Sequence, residues 1–196
     1  MSTTKREDKM LVFFRLIDKA TPLSSKPVHA TMRDLGHLKG LLHANGVIAD
    51  PDDGQHEHSA KSFEINANGI ALAAFDTRFP GRDDLLSIVE EAQFLARMIR
   101  IDEAEDGSGA TLSVSDHIAM TPDMAVTEIA ASRIIRCLGI TERRTQTITL
   151  DQLRRALEYP VVYDRFETKN LEAYYAYLTR IAGLEYGDQT PTMTWS

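Results

Sequence analysis

The chain has 196 residues, enough for one large domain or two small ones, and with 43% hydrophobic and 26% charged side chains it has the make-up of a folded, water-soluble polypeptide. No apolar run reaches the roughly 18 residues that span a bilayer, the N-terminus lacks an apolar signal core, and the single cysteine, Cys137, cannot close an internal disulfide. These features predict a cytoplasmic protein with no membrane partner. The net charge of −7 argues against polyanionic ligands, yet residues 1–46 hold eight basic and four acidic side chains, +4, leaving −11 on the rest.

In chain order, the polar residues 1–8 are expected to fray. Met10, Phe13, Phe14 and Ile17 fall at helical spacing and predict a buried helix over Lys9–Ala20, stopped by Thr21-Pro22. A second helix is predicted from Val28, with Val28, Met32, Leu35, Leu38 and Leu42 on one side. It either breaks at Gly36 or runs on to Gly46, where glycine takes a left-handed C-cap cheaply. Residues 50–61 read as a loop, Ser62–Ile65 as a strand, and Ile70–Phe75 as a short helix before a linker at Thr77–Gly81.

The second half is predicted to open with a helix from Asp83 to about Arg100. Ile99-Arg-Ile and Leu112-Ser-Val flank an acidic, glycine-containing stretch that suits a hairpin. Thr121-Pro122 is read as the start of a helix running to Leu138, and Thr149 as the cap of another over Leu150–Glu158. A last helix is expected over Thr168–Ala182, followed by a loose tail from Asp188 to Ser196.

Helix, Gly46-Val47-Ile48, polar loop, Phe63-Glu64-Ile65-Asn66-Ala67-Asn68-Gly69 and helix together make a pattern that resembles the winged helix-turn-helix of MarR- and PadR-type bacterial regulators, over residues 9–75. The resemblance implies a mainly α fold, with a winged-helix domain at 1–78 and a helical domain at 83–196 for dimerisation or partner binding. It also implies that Lys26, His29, Arg33, His37 and Lys39, with Lys61 at the wing base, would meet double-stranded DNA. The alternative for those cations is the solvated face of an amphipathic helix.

The remaining constellations read as structural. His56-Glu57-His58 is a pair of histidines with no third ligand nearby, short of what zinc needs. Ser115-Asp116-His117 has the residue types of a hydrolase relay, but adjacent residues cannot form its geometry, and a helix cap is the simpler reading. Cys137 sits among Ile134, Ile135 and Leu138, as a core residue would. No enzyme, metal or cofactor is expected. Tyr174, Tyr175, Tyr177 and Leu178 offer an aromatic interface for a homodimer or a protein partner. The sequence therefore predicts a sequence-specific transcriptional regulator of bacterial, phage or plasmid origin. The alternative is an acidic protein-protein interaction module, an inhibitor or adaptor that displaces nucleic acid from its target.

Overall fold

The computed structural model describes residues 11–44, 46, 62–120, 122–140 and 146–196. In chain order the elements are β1 (Leu11–Ile17), β2 (Val28–Thr31), α1 (Met32–Ala44), β3 (Ser62–Asn66), a 3-10 turn (Ala67–Gly69), α2 (Leu72–Arg78), α3 (Asp83–Phe94), β4 (Arg97–Glu103), β5 (Gly109–Ile118), β6 (Met124–Thr127), α4 (Glu128–Cys137), β7 (Thr147–Thr149), α5 (Leu150–Leu157), α6 (Pro160–Thr168), α7 (Glu172–Ala182) and β8 (Thr192–Trp195). Eight strands among the described residues overturn the mainly α expectation; the protein is mixed α/β. It divides into two compact units, residues 22–120 and residues 1–21 with 121–196. The expected division at 1–78 and 83–196 therefore differs from the one observed. Thr77–Gly81 lies within the first of these units, where its own Phe79 shares one core with Phe75 before it and Leu85 and Ile88 after it.

In the unit 22–120, β3, β4, β5 and β2 form an antiparallel sheet, with Ile65 opposite Ile99, Ile101 opposite Leu112 and Ala30 opposite Ala110. The period-2 alternation sends Ile65, Ile99, Ile101, Leu112 and Val114 to one face. There α1 packs Leu35, Leu38 and Leu42, and α3 packs Leu85, Ile88 and Ala92. Each such buried aliphatic side chain contributes about 1.5–3 kcal/mol relative to exposure. Strand β2 lies so close to β5 that a Cβ on Gly109 would sit 2.1 Å from the Ala30 carbonyl oxygen.

Helix α1 begins with a reciprocal cap: the Thr31 amide and hydroxyl donate to Asp34 at 2.9 Å, and the Asp34 amide donates to Thr31 Oγ at 3.3 Å. It runs unbroken through Gly36 and Gly40 to Ala44, and Gly46 follows at φ +67°. Of the two alternatives, the helix without a break at Gly36 is the one observed, but it starts at Met32 rather than Val28, because residues 28–31 pair with β5 as strand β2. Strand β3 lies where a strand was expected, and its partner is β4. The hairpin expected between Ile99-Arg-Ile and Leu112-Ser-Val is β4–β5 itself. The helix before it ends at Phe94 rather than Arg100, because Ala96 turns at φ +47° into β4.

The other unit departs furthest from the helical expectation. Residues 11–17 form a strand, not a helix, with burial alternating so that Phe14 and Leu16 are enclosed. β1 pairs antiparallel with β6 through Phe14–Met124 and with β8 through Phe14–Trp195 and Ile17–Thr192, and β7 pairs with β8. The tail expected to be loose therefore supplies a sheet strand. After Pro122, Met124 and Val126 alternate into the core as β6, so the helix begins only at Glu128, capped by Thr127. Thr149 caps α5 as expected, in a full capping box with Gln152. The predicted last helix, Thr168–Ala182, is α7, starting at Glu172; before it, Pro160–Thr168 forms α6, which was not expected, and Asn170 at φ +53° separates the two.

Candidate functional site

On the polar face of the β3–β4–β5 sheet, one carboxylate gathers two partners that the sequence keeps far apart. The Ser115 hydroxyl donates to Glu64 Oε1, and His117 Nδ1 lies 2.8 Å from Glu64 Oε2; the His117 amide donates to Ser115 Oγ at 3.1 Å. A bulge makes this possible. Ile99 faces Val114 and Arg97 faces Ile118, so two steps of β4 oppose four of β5 and residues 115–117 are re-aimed. Beside it, Arg100 Nε donates to Asp102 at 2.9 Å. The Ser62 hydroxyl, then Arg100, hold the Asp102 carboxyl below its ordinary value against the cost of burial.

Ser115, Glu64 and His117 do not form a nucleophilic relay. Such a relay needs the hydroxyl on the imidazole and the imidazole on the carboxylate. Here hydroxyl and imidazole both address the carboxylate, one oxygen each, which anchors β5 to β3 across β4. Ser115 and Asp116 sit in a strand, so the expected helix cap is corrected. Glu64 as the partner was missed; its outward position on β3, alternating with Phe63 and Ile65, was the available signal. Among the described residues no three His, Cys, Asp or Glu side chains are grouped to hold a metal. His56 and His58 lie outside the described residues. Cys137 is fully buried, and burial pushes its thiol up.

The cations expected to meet DNA fall in or near α1. Lys26 lies in the preceding segment, His29 in β2, and Arg33, His37 and Lys39 in α1; Lys61 is outside the described residues. Arg33 and Lys39 are exposed, whereas His37 is half-buried with its ring edge-on to Phe79 at 6.1 Å. Carboxylates lie near two of these cations, Lys39 and His29. Lys39 Nζ is 3.9 Å from Glu103 Oε1, at the start of a β4–β5 turn where Glu103, Glu105 and Asp106 are all exposed. The Ser108 hydroxyl and amide hold Asp106 below the usual carboxylate range, and His29 adds a smaller pull. Arg82 Nη1 is bound to Asp34 at 2.7 Å, and Arg82 Nε to Asp84 at 2.9 Å. The unit 22–120 carries sixteen acidic and eight basic side chains, −8, while the other carries thirteen acidic and fourteen basic, +1. The charge polarity read from residues 1–46 thus does not follow the division of the chain.

The expected aromatic interface is largely turned inward. Leu178 is fully buried, Tyr175 Oη donates to the Leu157 carbonyl at 3.1 Å and packs edge-on to Tyr163 and Phe166, and Tyr177 Oη donates to the Pro122 carbonyl at 2.6 Å. Tyr174 is half-buried. Exposed apolar surface lies instead at the α5–α6 elbow, in the run Glu158-Tyr-Pro-Val-Val-Tyr. Tyr159, Val161 and Tyr163 are 62%, 51% and 42% exposed, and the first two line an open hollow of about 330 Å³ together with Leu138, Ala156, Val162, Arg155 and Arg165. Among the described residues no helix is long and apolar enough to cross a membrane. Comparison of the chain with protein-family models, with curated proteins and with solved structures gives no match.

Proposed function

We propose that the protein is an acidic interaction module, acting as an inhibitor or adaptor, whose unit 22–120 engages a basic surface on another protein. The observation that carries this reading is the acidic β4–β5 turn. Glu103, Glu105 and Asp106 stand in water next to Lys39 and His29, within a unit of net charge −8. A helix that binds DNA must release counterions from phosphate through uncompensated cations. The net charge of −8 on the unit and the exposed carboxylates of the turn disfavour phosphate and favour a lysine- or arginine-rich surface. Electrostatic complementarity of this kind sets association rate and selectivity more than raw affinity.

The test is a titration of the full chain with a lysine-rich peptide, comparing wild type with the triple variant E103Q/E105Q/D106N. The wild type is expected to bind with an affinity that falls with salt, and the variant to lose about tenfold, roughly 1.4 kcal/mol. Equal binding by both would remove the turn as the contact. Failure of the wild type to bind even at about 20 mM salt, where the Debye length exceeds 20 Å, would refute the reading.

A further inference from the structure

Two helices turn one stripe each toward the open hollow at the elbow. Gln152, Arg155, Ala156 and Tyr159 recur at the i, i+3, i+4, i+7 spacing of one helical face, over α5 and its exit. Val161 and Arg165, four residues apart on α6, close the other side with Val162. The surface between is largely apolar, and the only charges lining it are the guanidiniums of Arg155 and Arg165. Glu158 and Asp164 are exposed but fall off these stripes and do not line it. Among the described residues neither arginine is held in an ion pair. Arg154, one position from Arg155, donates instead to the Ala182 and Leu184 carbonyls at 2.7 and 2.9 Å and meets Asp151 at 3.4 Å. Arg165 Nη1 makes one long contact, 3.5 Å, to the Cys137 carbonyl oxygen, and Arg155 makes none.

We propose that the hollow is the docking site for an acidic segment of another protein, which lays a phenylalanine or leucine side chain on the apolar lining and sets neighbouring carboxylates against Arg155 and Arg165. Charge complementarity names this occupant. A guanidinium takes a carboxylate through two parallel hydrogen bonds, and tyrosine beside it is a residue type that carries binding energy in interfaces. A second copy presenting the same hollow would bring arginine against arginine. A nucleic-acid strand repeats its phosphates along its length and would meet Glu158 and Asp164 in the same run of sequence, whereas a peptide can place carboxylates at the two arginines alone. The hollow is open, so its occupant lies across the exposed Tyr159 and Val161 rather than being enclosed as a small molecule is. The acidic turn belongs to the other unit and selects cations. The two sites therefore take partners of opposite charge, as an adaptor requires.

Fluorescence anisotropy of a labelled peptide, Glu-Glu-Phe-Glu-Glu, titrated with the full chain at about 50 mM salt tests it. Its glutamine-for-glutamate and alanine-for-phenylalanine analogues and a labelled oligothymidine are titrated alongside, with far-UV circular dichroism as the control of folding. The peptide is expected to bind with a Kd of about 0.1 mM, and each analogue about fivefold more weakly or worse. R155Q, at an exposed position, should weaken the peptide about fivefold. V161D sets a carboxylate beside the two arginines, at an exposed first-turn position where a helix tolerates negative charge; it should stay folded and lose at least about tenfold. Four results overturn the proposal: no saturation at about 1 mM chain, a glutamine analogue that binds as tightly as the parent, binding indifferent to both R155Q and V161D, or oligothymidine that binds more tightly than the peptide and is lost in V161D, which would assign the hollow to nucleic acid.

Discussion

Replacing Phe14 with alanine probes the sheet that the tail completes. Phe14 is fully enclosed, stands in register with both Met124 and Trp195, and stacks on the Trp195 ring at 5.9 Å and 29°. Removing a buried phenylalanine ring costs about 3–5 kcal/mol in lost transfer energy and residual cavity, of which the ring pair itself accounts for about 0.5–1.5 kcal/mol. Small domains are stable by about 5–15 kcal/mol, so the variant would remain folded but with much of its margin gone. Trp195 is the only tryptophan and is 8% exposed, so its emission reports this sheet alone. With a urea dependence of about 1.5 kcal/mol per M, the Trp195 midpoint should fall by about 2–3 M in F14A. Phe94 is 88% exposed, and F94A should cost less than about 0.5 kcal/mol, a midpoint shift below about 0.3 M. The reasoning fails if F14A shifts the midpoint no more than F94A does. It also fails if wild-type Trp195 emits like an indole in water.

Glu91 accepts from the Ser24 amide at 2.6 Å, the Ser24 hydroxyl at 2.7 Å and the Ser25 amide at 2.8 Å; against the opposing cost of burial, these hold its carboxyl down from 4.5 to about 2. A depressed carboxylate stabilises fully above its unfolded value and loses that contribution as pH falls through the folded one, so the loss should appear between pH 4.5 and about 2. The full shift corresponds to about 3 kcal/mol, reduced by solvent screening to about 1 kcal/mol. E91Q should abolish this step in an acid titration of stability, and an unchanged acid limb would exclude Glu91 as its source. Gly46 at φ +67° predicts a cost of roughly 1 kcal/mol for G46A, read by thermal unfolding; a neutral G46A would contradict the left-handed conformation there. G109A should cost more than G46A, because its Cβ meets backbone at 2.1 Å whereas the space around Gly46 is open. The reverse order would show that β2 does not approach β5 this closely.

What the sequence disclosed, it disclosed locally. Thr149 with Gln152, the glycine after α1 and the β4–β5 hairpin each carry their signal within a few residues, where propensity and turn chemistry decide. Leu11–Ile17 carries none of that kind. A run apolar at nearly every position fits a buried helix and a doubly covered strand equally well, and the deciding partners, residues 124–127 and 192–195, are more than a hundred positions away. Thr192–Trp195 is too short to declare a strand without the edge it fills. Gly46-Val47-Ile48 and the Phe63–Gly69 segment supplied a plausible motif, but the strand paired with β3 comes from residues 97–103, after two helices. The polar cluster was hidden for the same reason, since Glu64 and His117 stand 53 residues apart and meet only through β4 and its bulge with β5. The charge was legible in total, while its concentration in residues 22–120 depends on where the chain divides.

Fluorescence anisotropy of a labelled random-sequence duplex, titrated with the full chain at low salt, bears most directly on the choice between an acidic interaction module and a DNA-reading one. With Lys39 beside Glu103 and His29 near Asp106 in a unit of net charge −8, no saturable binding is expected even at about 50 mM salt, and R33A/K39A should behave as wild type does. Saturable binding that weakens with salt along a log–log slope of about −0.9 per phosphate contact, and that is lost in R33A/K39A, would contradict the interaction-module reading and return α1 to the phosphate backbone.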